Sequence, residues 1–264
     1  MRRLLAACLT CLATALPAQT LVEVDVELVL AVDVSRSMTP AELEIQRQGY
    51  AAALTSEAVL GAVRGGLLGR IAITYVEWAG SGTQRVIVPW TVLEDPEDAE
   101  WIAAQILTQS GGGMRRTSIS GALDFGAQAI DGNEFQGLRR VIDVSGDGPN
   151  NQGRAVDETR DSVLAQGITI NGLPLMTSDG LGARWGIPDL DLYYEACVIG
   201  GPGAFLIPVT RWEDFGTAVR RKLVMEISGL PARVIPAQMR QRPEYNCLVG
   251  EEIWQRNMHI FSEP

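Results

Sequence analysis

The chain has little of what many hydrolases and zinc proteins are built from. Its 264 residues hold one histidine, His259, close to the end, and one lysine, Lys222. Serine–histidine–aspartate catalysis and histidine-rich zinc sites therefore lack their usual raw material. Long apolar runs are also missing. The longest, Leu4 to Leu16, falls short of the roughly 20 residues that cross a bilayer. Positive charge is in the minority, with 22 basic against 32 acidic residues and a net charge of −10, so nucleic acid and anionic membranes are poor partners. No internal repeat and no low-complexity linker interrupts a chain that is 46% hydrophobic and 20% charged, the balance of a core-forming globular protein.

What is present begins with an address. Residues 1–18 combine Arg2 and Arg3, the short apolar run and small residues before a cut after Ala18, the pattern of a secretory signal peptide. Ala13-Thr14-Ala15 also satisfies the small-x-small rule, so the mature start can fall there instead. Cleavage predicts a periplasmic or secreted protein of net charge −12, since Arg2 and Arg3 leave with the leader. It also removes Cys8 and Cys11, leaving Cys197 and Cys247. Two cysteines in an oxidising compartment are expected to form one disulfide.

Short apolar runs alternate with segments of helical period, which predicts a doubly wound α/β fold: a mostly parallel sheet with helices on both faces. Six strands are expected, at 26–33, 70–77, 84–90, 139–145, 167–173 and 203–209. Ala79-Gly80-Ser81-Gly82 reads as a hairpin turn, so the third strand is an antiparallel edge. Thr39-Pro40-Ala41-Glu42 offers an N-cap, a proline at the first helical position and a capping-box glutamate, and later helices are expected at 96–108, 118–130, 154–166, 189–198 and 211–226. Residues 24–226 form the domain, and 227–264, with three prolines before Cys247, read as a tail strapped along it.

The chemistry gathers where the strands end. The run VELVLAV suits a strand buried on both faces, yet Asp33, Ser35 and Ser37 follow at once. Asp147, in VSGDGPNN, ends the fourth strand, and Thr117, in GGGMRRTSISGAL, stands ahead of a helix. In open parallel sheets such loops meet beyond the carboxyl ends of central strands. Two carboxylates and three hydroxyls without sulfur or imidazole form a hard-oxygen set, suited to Mg²⁺, Mn²⁺ or Ca²⁺. Serines and threonines there are otherwise helix caps, but Thr39 already caps the first helix. Asp143, inside the apolar fourth strand, reads equally as a hydrogen-bond acceptor behind the site, a partner of Arg139 or Arg140, or an exposed edge residue. Asn150 and Asn151 fit either loop bracing or turn chemistry.

Asp33-x-Ser35-x-Ser37, then Thr117, then Asp147, in that order and each at a strand–helix junction, resembles the metal-ion-dependent adhesion site of von Willebrand factor A domains. The resemblance covers about residues 24–226 and implies the strand order 3-2-1-4-5-6. It implies that Ser35 and Ser37 bind the cation directly, Thr117 directly or through water, and Asp33 and Asp147 mainly through water or at the inner shell of a partner-free site. It also implies that a carboxylate of a protein partner completes the ion. VIDVSGDGPNNQG at 141–153 and CVIGGPGAF at 197–205 are similar to a family of exported bacterial proteins that carry this domain without an assigned function. Arg116 and Trp185 are candidates for partner contact at the rim. The rival reading is a haloacid-dehalogenase-like, Mg²⁺-dependent phosphatase, whose Gly-Asp-Gly-x-Asn pattern matches Gly146 to Asn150. That chemistry asks for a second aspartate where Ser35 stands and a lysine ahead of the later acidic loop, whereas Lys222 lies beyond it. A third reading keeps the fold as a metal-independent spacer in an envelope assembly.

Overall fold

The computed structural model describes residues 21–108, 114–177, 186–229 and 244–262. Residues 1–18, expected as a leader, and Trp185 lie outside them. At the centre stands β1 (Val22–Asp33), whose residues alternate between two apolar layers as the two-residue period of a strand dictates. Val26, Leu28, Leu30 and Val32 face one layer, and Val29 and Ala31 the other. β1 pairs in parallel with β2 (Ile71–Trp78) and β4 (Phe135–Gly146); β4 pairs in parallel with β5 (Thr169–Pro174), and β3 (Gln84–Leu93) runs antiparallel along β2. The order is β3-β2-β1-β4-β5.

Among the described residues the sheet therefore has five strands, not six. The segment expected as the sixth does lie beside β5, pairing at Gly172 with Leu206 and at Leu175 with Val209. Gly172 N–H donates to Phe205, Ile207 N–H to Gly172, Val209 N–H to Pro174 and Met176 N–H to Val209. The missing rung is the one Pro174 would have donated to Ile207, and proline has no N–H to give. Two bridges flank that gap where a continuous ladder was expected.

α1 (Pro40–Leu54) starts as its sequence dictates. Thr39 Oγ1 accepts from Glu42 N–H at 3.3 Å and Glu42 accepts from Thr39 N–H at 2.6 Å, completing the capping box. α1, α2 (Glu57–Arg64), α3 (Pro96–Thr108) and α7 (Phe215–Ser228) cover one face with Leu43, Tyr50, Val59, Ile102, Phe215 and Leu223. α4 (Ile119–Asp131) and α5 (Val156–Ala165) cover the other, together with α6 (Leu190–Tyr193) and the π-helical turn Tyr194–Val198 that continues it. A 3₁₀ turn at Trp212–Asp214 leads into α7. A last helix, α8 (Val249–Ser262), follows Cys247. Cys197 and Cys247 are joined, with S–S 2.03 Å. Among the described residues no helix is long and apolar enough to cross a membrane.

Asp143 pairs with neither Arg139 nor Arg140 and is not exposed. It is buried in β4 against Lys222 of α7 at 2.6 Å. Arg139 instead donates to the carbonyls of Glu226 and Ile227 at the end of α7, and Arg140 pairs with Asp131.

Candidate metal site

Strand order reverses between β1 and β4, so the loops that leave their carboxyl ends share one crevice. Asp33 closes β1, fully buried, and its Oδ1 accepts the Ser35 N–H at 2.7 Å, folding the loop back over the strand end. Ser35 Oγ lies 2.9 Å from Ser37 Oγ, and Ser37 Oγ donates to Asp147 Oδ1 at 2.8 Å. One chain of oxygens thus crosses from the first loop to the third. The approach needs a glycine, because a β-carbon at Gly146 would lie 3.0 Å from Asp33 Oδ2 and 3.0 Å from the Tyr194 hydroxyl.

The middle loop is drawn in by backbone pairing, with Met114 bridged to Ser35 and Ser118 N–H donating to Ala79 at 2.7 Å. Thr117 N–H donates to Asn151 Oδ1 at 3.0 Å, while Asn151 N–H donates to the Thr117 carbonyl at 2.8 Å. Thr117 is 6% exposed, because this reciprocal pair presses it onto the loop after β4. Arg116 takes a left-handed backbone at φ 76° and stacks its guanidinium 3.4 Å over the Trp254 ring of α8.

Burial is the main cause of both carboxyl shifts. It pushes Asp33 well above the usual carboxyl range, with the charge of Asp147 adding to it, and it raises Asp147 to about 6, with Glu42 adding to that. Asp33 Oδ2 is buried and accepts no hydrogen bond. An orphaned carboxylate oxygen beside a second carboxylate is a position that a cation satisfies and a neutral protein interior does not. Among the described residues no three His, Cys, Asp or Glu side chains cluster as metal ligands, so an ion here would depend on the hydroxyls of Ser35, Ser37 and Thr117 as well. That donor set suits a hard divalent cation.

Of the two readings open for Asn150 in sequence, loop bracing and turn chemistry, its contacts show bracing, whereas the bracing role of Glu42 had no sequence signal. Asn150 is fully buried: its Oδ1 accepts from Ser120 N–H at 3.0 Å, its own N–H donates to the Tyr193 hydroxyl at 3.1 Å, and its Nδ2 donates to Glu251 of α8 at 2.7 Å. Glu42, the capping glutamate, also accepts the Trp212 indole N–H at 3.0 Å. The only sequence signal for the first was two asparagines directly after the acidic loop, and the contacts they make come from segments far along the chain.

The family described as "Protein of unknown function (DUF1194)" matches residues 23–231. The chain belongs to this family. No curated protein matches the chain. Among solved structures, this DUF1194 chain has the fold of von Willebrand factor A-type domains. It is similar to proximal thread matrix protein 1 from the mussel byssus, at TM-score 0.58 and 15% identity over 78% of this chain and 49% of that one. It is similar to the pilus adhesin SpaC from Lactobacillus rhamnosus GG, at TM-score 0.59 and 11% identity over 78% and 31%. It is also similar to a von Willebrand factor type A protein from Catenulispora acidiphila, at TM-score 0.54 and 11% identity over 78% and 43%. A further structure of the mussel protein, at TM-score 0.54 and 14% identity over 78% and 48%, has a zinc-occupied MIDAS motif, the adhesion-site motif named above. The chain spans less than half the length of each of these proteins, and at such identities the likeness is one of fold.

Proposed function

We propose that the protein is an exported binding protein of the von Willebrand factor A type. It holds a divalent cation, Mg²⁺ first among Mg²⁺, Mn²⁺ and Ca²⁺, between Ser35, Ser37 and Thr117, with Asp33 and Asp147 supplying the negative charge, and it captures a carboxylate of a protein partner at the ion's open position. The observation that carries this reading is the buried, unpartnered Asp33 Oδ2, set beside the oxygen chain from Ser35 through Ser37 to Asp147. The zinc-occupied motif of the mussel protein and the adhesin SpaC support it as instances of what this fold accommodates. A binding role suits the site better than phosphatase chemistry. Ser35 stands where that chemistry needs a second carboxylate, and Lys222, the only lysine, is buried against Asp143 and Glu226 instead of facing the crevice loops.

Calorimetric titration of Mg²⁺ and Mn²⁺ into the wild type and Asp33→Ala tests the ion. Saturable heat in the wild type and none in the variant is expected. Equal or absent heats in both would end the metal reading. A pull-down from envelope extract in Mg²⁺ against chelator tests the partner, which should elute with the chelator. A partner retained equally in both means that capture does not run through the ion.

A further inference from the structure

The chain uses arginine for every cation except one, and that one is buried. Lys222, 1% exposed, projects from α7 into the interior between the sheet and its own helix. Its Nζ lies 2.6 Å from Asp143 Oδ1 and contacts Glu226 Oε1 one turn further along α7. Asn171 Nδ2 donates to the same Glu226 oxygen at 3.0 Å, Phe205 N–H donates to Asn171 Oδ1 at 3.1 Å, and the Phe205 ring stands 5.4 Å from Nζ. Asp143, Glu226 and Asn171 are all buried. Asp143 Oδ1 has no hydrogen-bond partner other than this ammonium.

This is an arrangement for making a bond. An arginine in this position would stay protonated and could not act as a nucleophile, whereas a lysine amine in a dry pocket can. Two carboxyls share one ammonium, so the cluster holds surplus proton-binding capacity, and burial with the charge of Asp143 raises Glu226 to about 7. Water is excluded and the reacting atoms are held together, which for intramolecular reactions is worth effective concentrations of about 10⁵ M or more.

We propose that Lys222 and Asp143 condense into an intramolecular amide, with Glu226 as the group that relays the protons. The ammonium first gives one proton to the carboxyl cluster. The free Nζ lone pair then attacks Asp143 Cγ, forming the C–N bond. Glu226 takes a proton from the nitrogen and delivers it to the departing hydroxyl, so the Cγ–O bond breaks and one water leaves. An ammonium and a carboxylate become a neutral amide and water, and no oxidant or further reactant is needed. The product ties β4, next to the sheet's centre, covalently to α7, and it removes a desolvated charge pair from the core.

Peptide mass spectrometry of the native, exported protein after denaturation, reduction and trypsin digestion decides the matter. A branched species is expected in which Val141–Arg154 is joined to Lys222–Arg233, one water lighter than the two linear peptides together, with fragment ions placing the branch on Asp143. Recovery of linear Val141–Arg154 together with linear Leu223–Arg233, the product of a cut that only a free Lys222 amine permits, would overturn the proposal. Loss of ammonia with a branch on Asn171 would overturn the assignment to Asp143. Glu226→Gln, which keeps the side chain's size, should leave the peptides unjoined in a folded protein; a variant that joins them as completely as the wild type would remove Glu226 from the reaction. Lys222→Arg should abolish the branch.

Discussion

At the scale of single residues, the two acids at the crevice determine how the protein answers to pH and to metal. Asp33 and Asp147 bind protons more tightly folded than unfolded, since burial raises both. Without a cation, the stability they contribute is fully present below the ordinary carboxyl value near 4; the share from Asp147 is lost as pH rises through about 6, where it ionises in the fold, and the share from Asp33 is lost as that raised carboxyl ionises. A cation offsets that loss only once the acids are charged. Mg²⁺ should therefore raise the Tm more at about pH 7.5 than at about pH 5, measured by differential scanning fluorimetry against chelator. An equal shift at both values would mean the ion binds elsewhere. Asp33→Asn removes a buried ionisable group from beside Asp147, which is charged at about pH 7.5, and keeps the shape, so without metal at that pH its Tm should rise by about 3 °C, about what 1 kcal/mol is worth in a domain of this size. Its response to Mg²⁺ should vanish. Thr117→Ala leaves the backbone exchange with Asn151 intact and deletes only the hydroxyl. Mg²⁺ affinity should fall at least tenfold, while stability changes by about 1 kcal/mol or less. Unfolding of this variant at room temperature would reassign Thr117 to structure.

At the scale of elements, the strands were legible because both faces of β1 and β2 and of the second half of β4 are buried, which writes mainly apolar stretches such as Leu28 to Val32, Ile71 to Ile73 and Val141 to Val144. The sixth strand reads the same way locally, and its ladder fails on a residue of its neighbour, Pro174, that its own sequence does not contain. α1 was legible to its first residue because a capping box is local. α8 was not, since the contacts that seat it lie far away in sequence: Gly250 abuts the Asn150 carbonyl so closely that a β-carbon there would lie 2.0 Å from that oxygen, Glu251 accepts from Asn150, and Trp254 lies under Arg116. The same division holds for the site. Its candidate ligands sit in three short local patterns, whereas their braces are tertiary. The disulfide anchors the start of α8 to the turn after α6 across a separation of 50 residues, for which loop-closure entropy gives about 4 kcal/mol. Reduction, or Cys197→Ser with Cys247→Ser, should lower the Tm by about 8–16 °C. It should also raise hydrogen exchange in residues 148–151, which Gly250 and Glu251 hold down. Faster exchange confined to α8 would show that the loop after β4 is braced without it.

At the scale of the whole molecule, charge acts on two steps in opposite directions. The chain carries −10, and would carry −12 without Arg2 and Arg3. That field concentrates a divalent cation and repels an acidic partner, and salt screens both effects over a Debye length of about 10 Å at 0.1 M. Raising NaCl from about 20 to about 200 mM should therefore weaken Mg²⁺ binding by several-fold in calorimetry. With Mg²⁺ held saturating, the same change should speed capture of a carboxylate-bearing partner, measured as the association rate of whatever the Mg²⁺-dependent pull-down recovers. Most charge-driven protein association slows as salt rises, because it joins surfaces of opposite sign. An association rate that falls with salt here would mean that the partner presents a basic surface to the acidic chain, and that the contact made at the ion is not what guides the encounter.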